Sequence, residues 1–234
     1  MEQDPTIKAS IIIRAYNAEA TVGRAIESAL KQEFPRTNYE IIIVNDGSTD
    51  NTRGVIDTYA SEPGVRIIHQ ANIGVIPAAN RGLKESRGVY VTLLDSDDEF
   101  MPQLLSEMVG VLDAHPAVAF AYCNYHEEID GVVQDIQIED VFQFIAVGTT
   151  FRRPLFEQEG WFSTMSMFSE HELVLRTWGR WKFIHVPKSL VTYHRQRESL
   201  TGDHERVAHE LEVLKARHPE HLAEINRIRS FMLP

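Results

Sequence analysis

The stretch Tyr39-Glu40-Ile41-Ile42-Ile43-Val44-Asn45-Asp46-Gly47-Ser48-Thr49-Asp50-Asn51-Thr52 decides the fold. Four consecutive β-branched residues, Ile41 to Val44, run into Asn45 and Asp46, and a strand that is apolar on both pleat faces is one buried on both sides, as in the parallel sheets of α/β proteins. Gly47 can take a positive φ, and Ser48, Thr49 and Asp50 are helix-capping residue types, so the strand hands over to a helix from about Thr52 to Ala60. The pattern recurs at Val89-Tyr90-Val91-Thr92-Leu93-Leu94-Asp95-Ser96-Asp97-Asp98. In open α/β sheets ligands gather outside the carboxyl ends of the strands, so acids at two strand tips face a ligand and not the core. Three carboxylates within four residues repel one another unless a divalent cation with hard oxygen preferences neutralises them. A diphosphate would need that same cation.

Outward from these two strands the chain alternates. Ile7 to Arg14 reads as a strand, and Glu19 to Gln32 as a helix with Val22, Ala25, Ile26, Ala29 and Leu30 on one face. Val65 to His69 is a further strand, followed by a helix near Pro77 to Ser86. The alternation predicts an α/β fold with a mainly parallel sheet covered by helices on both faces. Pro102 opens another helix that His115-Pro116 stops, and Ala117 to Cys123 is the next strand. Asp130-Gly131, between Ile129 and Val132-Val133, reads as a hairpin turn, which predicts a smaller antiparallel portion. Glu205 to Lys215 and Glu220 to Phe231 read as two C-terminal helices, placed to pack on the domain or on a second copy as a homodimer contact.

Composition narrows the function. With 23 basic and 34 acidic residues among 234, the net charge of −11 argues against a nucleic-acid partner. Cys123 is the only cysteine, so an intramolecular disulfide and a cysteine-rich zinc site are both excluded. No run reaches the roughly 20 apolar residues of a membrane span, and Met1-Glu2-Gln3-Asp4-Pro5 lacks the features of a signal peptide, so a soluble, cytoplasmic protein is expected, with peripheral membrane association left open.

Each motif also has a plainer reading. The Asn45 to Thr52 segment is what an ordinary strand-to-helix turn looks like, with Asp46 capping the helix, and Tyr16 fits a strand-end core aromatic. Asp95 and Asp97, two residues apart, can point into one site, whereas Asp98 and Glu99 favour the positive end of the next helix. Glu170 and Glu172 suit the first turn of a helix for the same reason.

Taken together, Ser10 to Asn17 (SIIIRAYN), Tyr39 to Thr52, Asn72 to Leu83 (NIGVIPAANRGL), Arg87 to Pro102 (RGVYVTLLDSDDEFMP) and Ser169 to His194 (SEHELVLRTWGRWKFIHVPKSLVTYH) resemble the inverting family 2 glycosyltransferases over about residues 7 to 201. The resemblance implies a GT-A, Rossmann-like catalytic domain over 1–201, with a nucleotide-binding half (1–100) and an acceptor-side half (101–201), followed by a helical appendage over 202–234. It implies that Tyr16 packs on the donor's base, that Asp46 reads the base edge, that Asp95 lies near the ribose and metal, and that Asp97 ligates Mg²⁺ or Mn²⁺. Glu170 takes the position of the catalytic base. The reaction implied is inverting transfer from a nucleoside diphosphate sugar, a UDP sugar first, to a hydroxyl of a glycan, lipid or small-molecule acceptor.

The sequence departs from the family pattern at defined places. Ser169 stands for the usual Glu, and Glu170 for the usual Asp, one methylene longer. Asn45 replaces a common second acid, and Ala79 a common arginine beside Asn80, with Arg81 as the nearest substitute cation. Gln196 stands where a histidine is frequent, with His194 two residues away. These departures keep a non-catalytic nucleotide-sugar-binding or scaffold protein open as the alternative. A nucleotidyltransferase ranks lower, since Ser10 to Ala20 has no glycine for a phosphate loop.

Overall fold

β1 (Ala9–Ala15), β2 (Tyr39–Asp46), β3 (Val65–Gln70) and β4 (Tyr90–Asp95) form an all-parallel half-sheet in the order β3-β2-β1-β4. The computed structural model describes residues 7–143, 147–195 and 204–228. The chain builds outward from β1 to β2 and β3 and then returns to the other side of β1 for β4, so a topological switch point falls between β1 and β4. In register, Arg14 lies opposite Asp95 across that junction, and Ala15 opposite Asn45 on the other side.

Helices cover both faces because these strands are apolar on both. The Tyr39 hydroxyl donates to the carbonyls of Ala29 and Leu30 at the end of α1 (Val22–Leu30), which puts α1 on the face shared by Tyr39, Ile41, Ile11 and Ile13. Ile12 points the other way, onto α3 (Val75–Glu85). Ile11, Ile12, Ile13, Ile41, Ile42 and Ile43 are wholly buried. Each such side chain contributes roughly 1.5–3 kcal/mol.

The second half mixes directions. After the two-residue β5 (Glu99–Phe100) and α4 (Leu104–Ala114), β6 (Val118–Ile129) turns through Asp130 and Gly131, both at positive φ (50° and 81°), into β7 (Val132–Ile136). That is the hairpin expected of Asp-Gly. β8 (Thr150–Arg152) inserts antiparallel between β4 and β6, and β9 (Lys182–His194) runs parallel to β6 and antiparallel to β5. A nine-stranded sheet results among the described residues, and it matches the expected mainly parallel α/β fold with an antiparallel portion. α5 (Arg153–Glu159) and α6 (Ser169–Thr177) follow β8.

Several boundaries differ from the sequence reading. α1 starts at Val22 and not Glu19, because the Glu19 side chain accepts the Asn51 N–H (2.7 Å) and its own N–H donates to Asp50 (3.1 Å), ties that stitch the segment to the β2 tip. α2 (Thr52–Asp57) is shorter than expected, and β6 is longer. The first terminal helix is α7 (His204–Arg217). Instead of a second long one, a 3₁₀ turn over Pro219–His221 leads into a single helical turn, α8 (Leu222–Ile225), and positions 229–231 of the expected helix lie outside the described residues. Val207, Leu214, Ile225 and Ile228 are buried within this chain. No helix among the described residues is long and apolar enough to cross a membrane.

Gly82 separates propensity from packing. A Cβ there would come within 2.4 Å of the Cγ2 of Ile12, a β-branched side chain with little freedom to move away. Helix propensity alone would make Gly82→Ala stabilising by about 1 kcal/mol. The expected outcome is destabilisation by about 1–3 kcal/mol, the cost of overpacking, read as a lower urea midpoint at unchanged slope.

Candidate active site

A cleft of about 730 Å³ opens at the carboxyl ends of β1, β2 and β4, over the switch point. Tyr16, Asp46, Asp95, Asp97 and Glu170 all line it, so every site residue expected from the sequence meets in one place.

Three of these come from the strand tips. Tyr16, half exposed, follows β1, and its neighbour Asn17 sits at φ 49° with its Oδ1 accepting the Thr49 N–H (2.8 Å) and its own N–H donating to the Ser48 hydroxyl (3.0 Å). The tips of β1 and β2 are thus braced together. Asp46 is buried, and its carboxylate accepts from the Gln70 amide (2.7 Å), the Ile73 N–H (3.1 Å) and the Gly74 N–H (2.8 Å). It therefore organises the approach to α3 while one edge faces the cleft. Gly47, at φ 71°, lets that approach pass close by: a Cβ would meet the Asn72 nitrogen at 2.4 Å. Asp95 accepts a 2.7 Å hydrogen bond from Arg14 Nε.

The turn after β4 is acidic, and Arg24 bonds its backbone at the Asp97 carbonyl (2.7 Å) and pairs with Glu99 (3.2 Å). Burial raises the pKa of Asp97, and the charge of Asp95 adds to it. Burial, then Asp95 and Asp97, push Asp98 well above the usual carboxylate range. Asp98 takes the His194 N–H at 2.9 Å on one oxygen, and its other oxygen is buried without a hydrogen bond. Asp98 does not line the cleft, and among the described residues no three His, Cys, Asp or Glu side chains converge to hold a metal, so the hard oxygens that the cleft itself offers a divalent cation here are those of Asp95 and Asp97. One or two carboxylates with the rest from substrate phosphates and water is the usual arrangement for Mg²⁺.

Glu170 sits in the first turn of α6 and is buried. Its Oε2 accepts from the Ser169 hydroxyl (2.7 Å), and its Oε1, 3.7 Å from Arg14 Nη1, accepts no hydrogen bond. Burial raises its pKa, while Arg14 and the Ser169 hydroxyl pull it back.

Of the two substitute residues named from the sequence, Arg81 lies away from the cleft and His194 sits beside the acidic turn without lining the cleft. Arg81 pairs with Glu85 on the surface of α3 (3.2 Å) and does not line the cleft. His194 is held between Glu99 (2.9 Å) and Glu128 (3.0 Å). Gln196 lies outside the described residues. Three charged lining residues carry no sequence motif: Arg14, and Arg206 and Glu210 from α7, where Glu210 accepts the Met167 N–H (3.1 Å) and so ties α7 to the loop before Glu170. The Asn80 amide makes paired hydrogen bonds with the backbone of Phe162 (2.8 and 3.0 Å), tying α3 to the segment that runs on into the lining residues Thr164 to Phe168.

The sequence matches the family model described as Glycosyl transferase family 2 over residues 10–169. The chain belongs to glycosyl transferase family 2. Among curated relatives, an uncharacterized glycosyltransferase, YibD, of Escherichia coli strain K12 is 43% identical over 120 residues, covering 51% of this chain and 34% of that protein. The UDP-Glc:alpha-D-GlcNAc-diphosphoundecaprenol beta-1,3-glucosyltransferase WfaP of Escherichia coli is 36% identical over 127 residues, covering 54% and 49%. The chain thus spans between about a third and a half of the length of these relatives. Two solved structures share the fold: TarS 1-349 of Staphylococcus aureus with UDP-GlcNAc (TM-score 0.78, 18% identity, 94% of this chain and 72% of that one) and the mannosyltransferase PcManGT of Pyrobaculum calidifontis with GDP-Man and Mn²⁺ (TM-score 0.73, 19% identity, 99% and 75%).

The bonds on Asp46 carry a testable consequence for this family 2 site. Asp46→Ala removes the acceptor of two backbone N–H groups. Hydrogen bonds to charged groups contribute about 1.5–3 kcal/mol each, so amide exchange at Ile73 and Gly74 is expected to speed up at least tenfold, with the amides of β1 unchanged, by mass spectrometry or NMR.

Proposed function

We propose that this chain is a metal-dependent inverting glycosyltransferase that moves a sugar from a nucleoside diphosphate sugar, a UDP sugar first, to an acceptor hydroxyl. The observation that carries the reading is Glu170: a buried carboxylate whose Oε1 accepts no hydrogen bond, facing the same cleft as Asp95 and Asp97. A UDP sugar is favoured because WfaP is named for UDP-Glc and TarS was solved with UDP-GlcNAc.

In this reading residues 1–201 are the catalytic body, and Tyr16 and Asp46 hold the nucleoside end of the donor, the tyrosine offering its ring and the carboxylate fixing the loop beneath. Asp95 lies towards the ribose. Asp97 would hold Mg²⁺ or Mn²⁺, in keeping with the Mn²⁺ named for PcManGT. The cation, when bound, supplies Lewis-acid stabilisation of charge on the leaving diphosphate. The Glu170 carboxylate accepts the acceptor's hydroxyl proton while the hydroxyl oxygen forms its bond to the anomeric carbon and the bond to the diphosphate breaks, so the configuration inverts in one displacement. Burial, by raising the pKa of Glu170, makes it a stronger base than an exposed carboxylate. The remaining catalysis is alignment of the two substrates in the cleft.

Thermal shift with UDP-glucose, UDP-GlcNAc and GDP-mannose, each with and without Mn²⁺, is expected to show stabilisation that needs nucleotide and metal together, largest for a UDP sugar. Asp97→Asn should lose the metal-dependent part. Glu170→Gln should lower transfer by roughly 10²-fold or more with donor affinity retained, as expected for loss of a general base. Because its pKa is raised, turnover of the wild type should climb with pH along a limb lying above that of an ordinary carboxylate. Full transfer by Glu170→Gln would refute the base assignment, and nucleotide binding without transfer or donor hydrolysis would favour a non-catalytic binding protein.

A further inference from the structure

We propose that Arg14 is a positioning residue that joins Asp95 to Glu170 and thereby sets the direction in which Glu170 faces the acceptor. The inference rests on the reading of Glu170 as the base. Arg14 comes from the central strand, and the parallel register of β1 and β4 places it directly opposite Asp95. Its Nε donates to Asp95 Oδ1 at 2.7 Å, and its Nη1 lies 3.7 Å from Glu170 Oε1. Ser169 holds the other oxygen of Glu170 at 2.7 Å. The carboxylate is therefore held from two sides, with Oε1 buried and accepting no hydrogen bond.

A guanidinium 9% exposed is costly to bury unless paired, and both partners of Arg14 are acids that line the cleft. A purely structural arginine would more economically satisfy backbone carbonyls, as Arg152 does with those of Val118 and Leu112. The planar fork matters, because one nitrogen can serve Asp95 while another points at Glu170, which a lysine ammonium cannot reproduce. Burial would lower the pKa of Arg14, yet Asp95 and Glu170 more than reverse it, so the residue stays a cation. The charged groups facing Glu170 are Arg14 from β1 and Asp95 from β4, and α7 brings Arg206 and Glu210 to the same cleft. Without Arg14, burial and the charge of Asp95 both act to raise the pKa of Glu170.

The test is release of UDP from UDP-glucose and UDP-GlcNAc with Mn²⁺, water serving as acceptor, by wild type, Arg14→Met, Arg14→Lys, Glu170→Gln and the double variant Arg14→Met/Glu170→Gln. Arg14→Met is expected to lower kcat at least tenfold with donor KM within about twofold, and to move the rising limb of the pH profile upward. Arg14→Lys should recover part of kcat. If Arg14 acts through Glu170, the double variant is no slower than Glu170→Gln alone. A second measurement needs no turnover: the fall in melting temperature as pH rises through the raised pKa of Glu170 should deepen in Arg14→Met and shrink again in the double variant, which no longer buries an unpaired carboxylate there. Wild-type kcat and pH profile in Arg14→Met, additive losses in the double variant, or equal pH slopes of melting would overturn the proposal. Full activity of Glu170→Gln would instead sink the base assignment.

Discussion

The register between β1 and β4 is the constraint from which the site follows. It seats Arg14 against Asp95 at the switch point, where the sheet's crossovers diverge and leave a crevice. The residues that follow Asp95 must then emerge into that crevice, and on the other side of β1 the register carries Asn45, then Asp46, to the same level. Asp95, Asp98 and Glu170 all act on the Arg14 guanidinium, which the central strand supplies. Burial and mutual repulsion raise the pKa values of Asp97, Asp98 and Glu170, an electrostatic cost of the kind that clusters at functional sites.

The family departures make physical sense around that cation. Ala79 is wholly buried on the sheet side of α3, whereas Ala78 lines the cleft, so a long charged side chain at 79 would have to be accommodated inside the core. Arg81 is turned to the surface and paired with Glu85. The arginines that do line the cleft are Arg14 from β1 and Arg206 from α7. Positive charge thus enters from the sheet below and from the terminal helix, while α3 contributes Asn80 as a brace for the segment at Phe162.

Much of this was legible in the sequence, for a definite reason. Apolar runs ending in acids encode both the buried strand and the carboxylates at its tip, so Asp46, Asp95 and Asp97 are legible together, whereas Tyr16, at the end of a strand with no terminal acid, comes from the resemblance. Glu170 needed the resemblance, since a first-turn acid is chemically unremarked by itself. Arg14 did leave a signal: a charged residue directly after Ile11-Ile12-Ile13 in a strand buried on both faces must have a partner. Arg206 and Glu210 left none, because the periodicity of a helix identifies its apolar face and says nothing about what its polar face looks upon. The start of α1 was misplaced for a related reason, since Glu19 was engaged in long-range bonds that no local pattern reports.

Ser169 and Glu170, which in the sequence look like two separate departures, act on the same carboxylate. The longer Glu170 side chain reaches a position where Arg14 Nη1 is 3.7 Å away, and the short Ser169 puts a hydroxyl where it can donate to the remaining oxygen at 2.7 Å. A glutamate at 169 would bring a second negative charge beside a carboxylate whose pKa burial already raises, whereas a serine brings a donor that lowers it. The extra methylene adds a rotatable bond, and therefore a larger ordering cost, which the fixed strand position of Arg14 and the adjacent hydroxyl offset by restricting where the carboxylate can point. Read this way, a longer acid with a neutral neighbour is a self-consistent alternative to a shorter acid beside another, and it depends on the central strand supplying a cation at the level of Asp95.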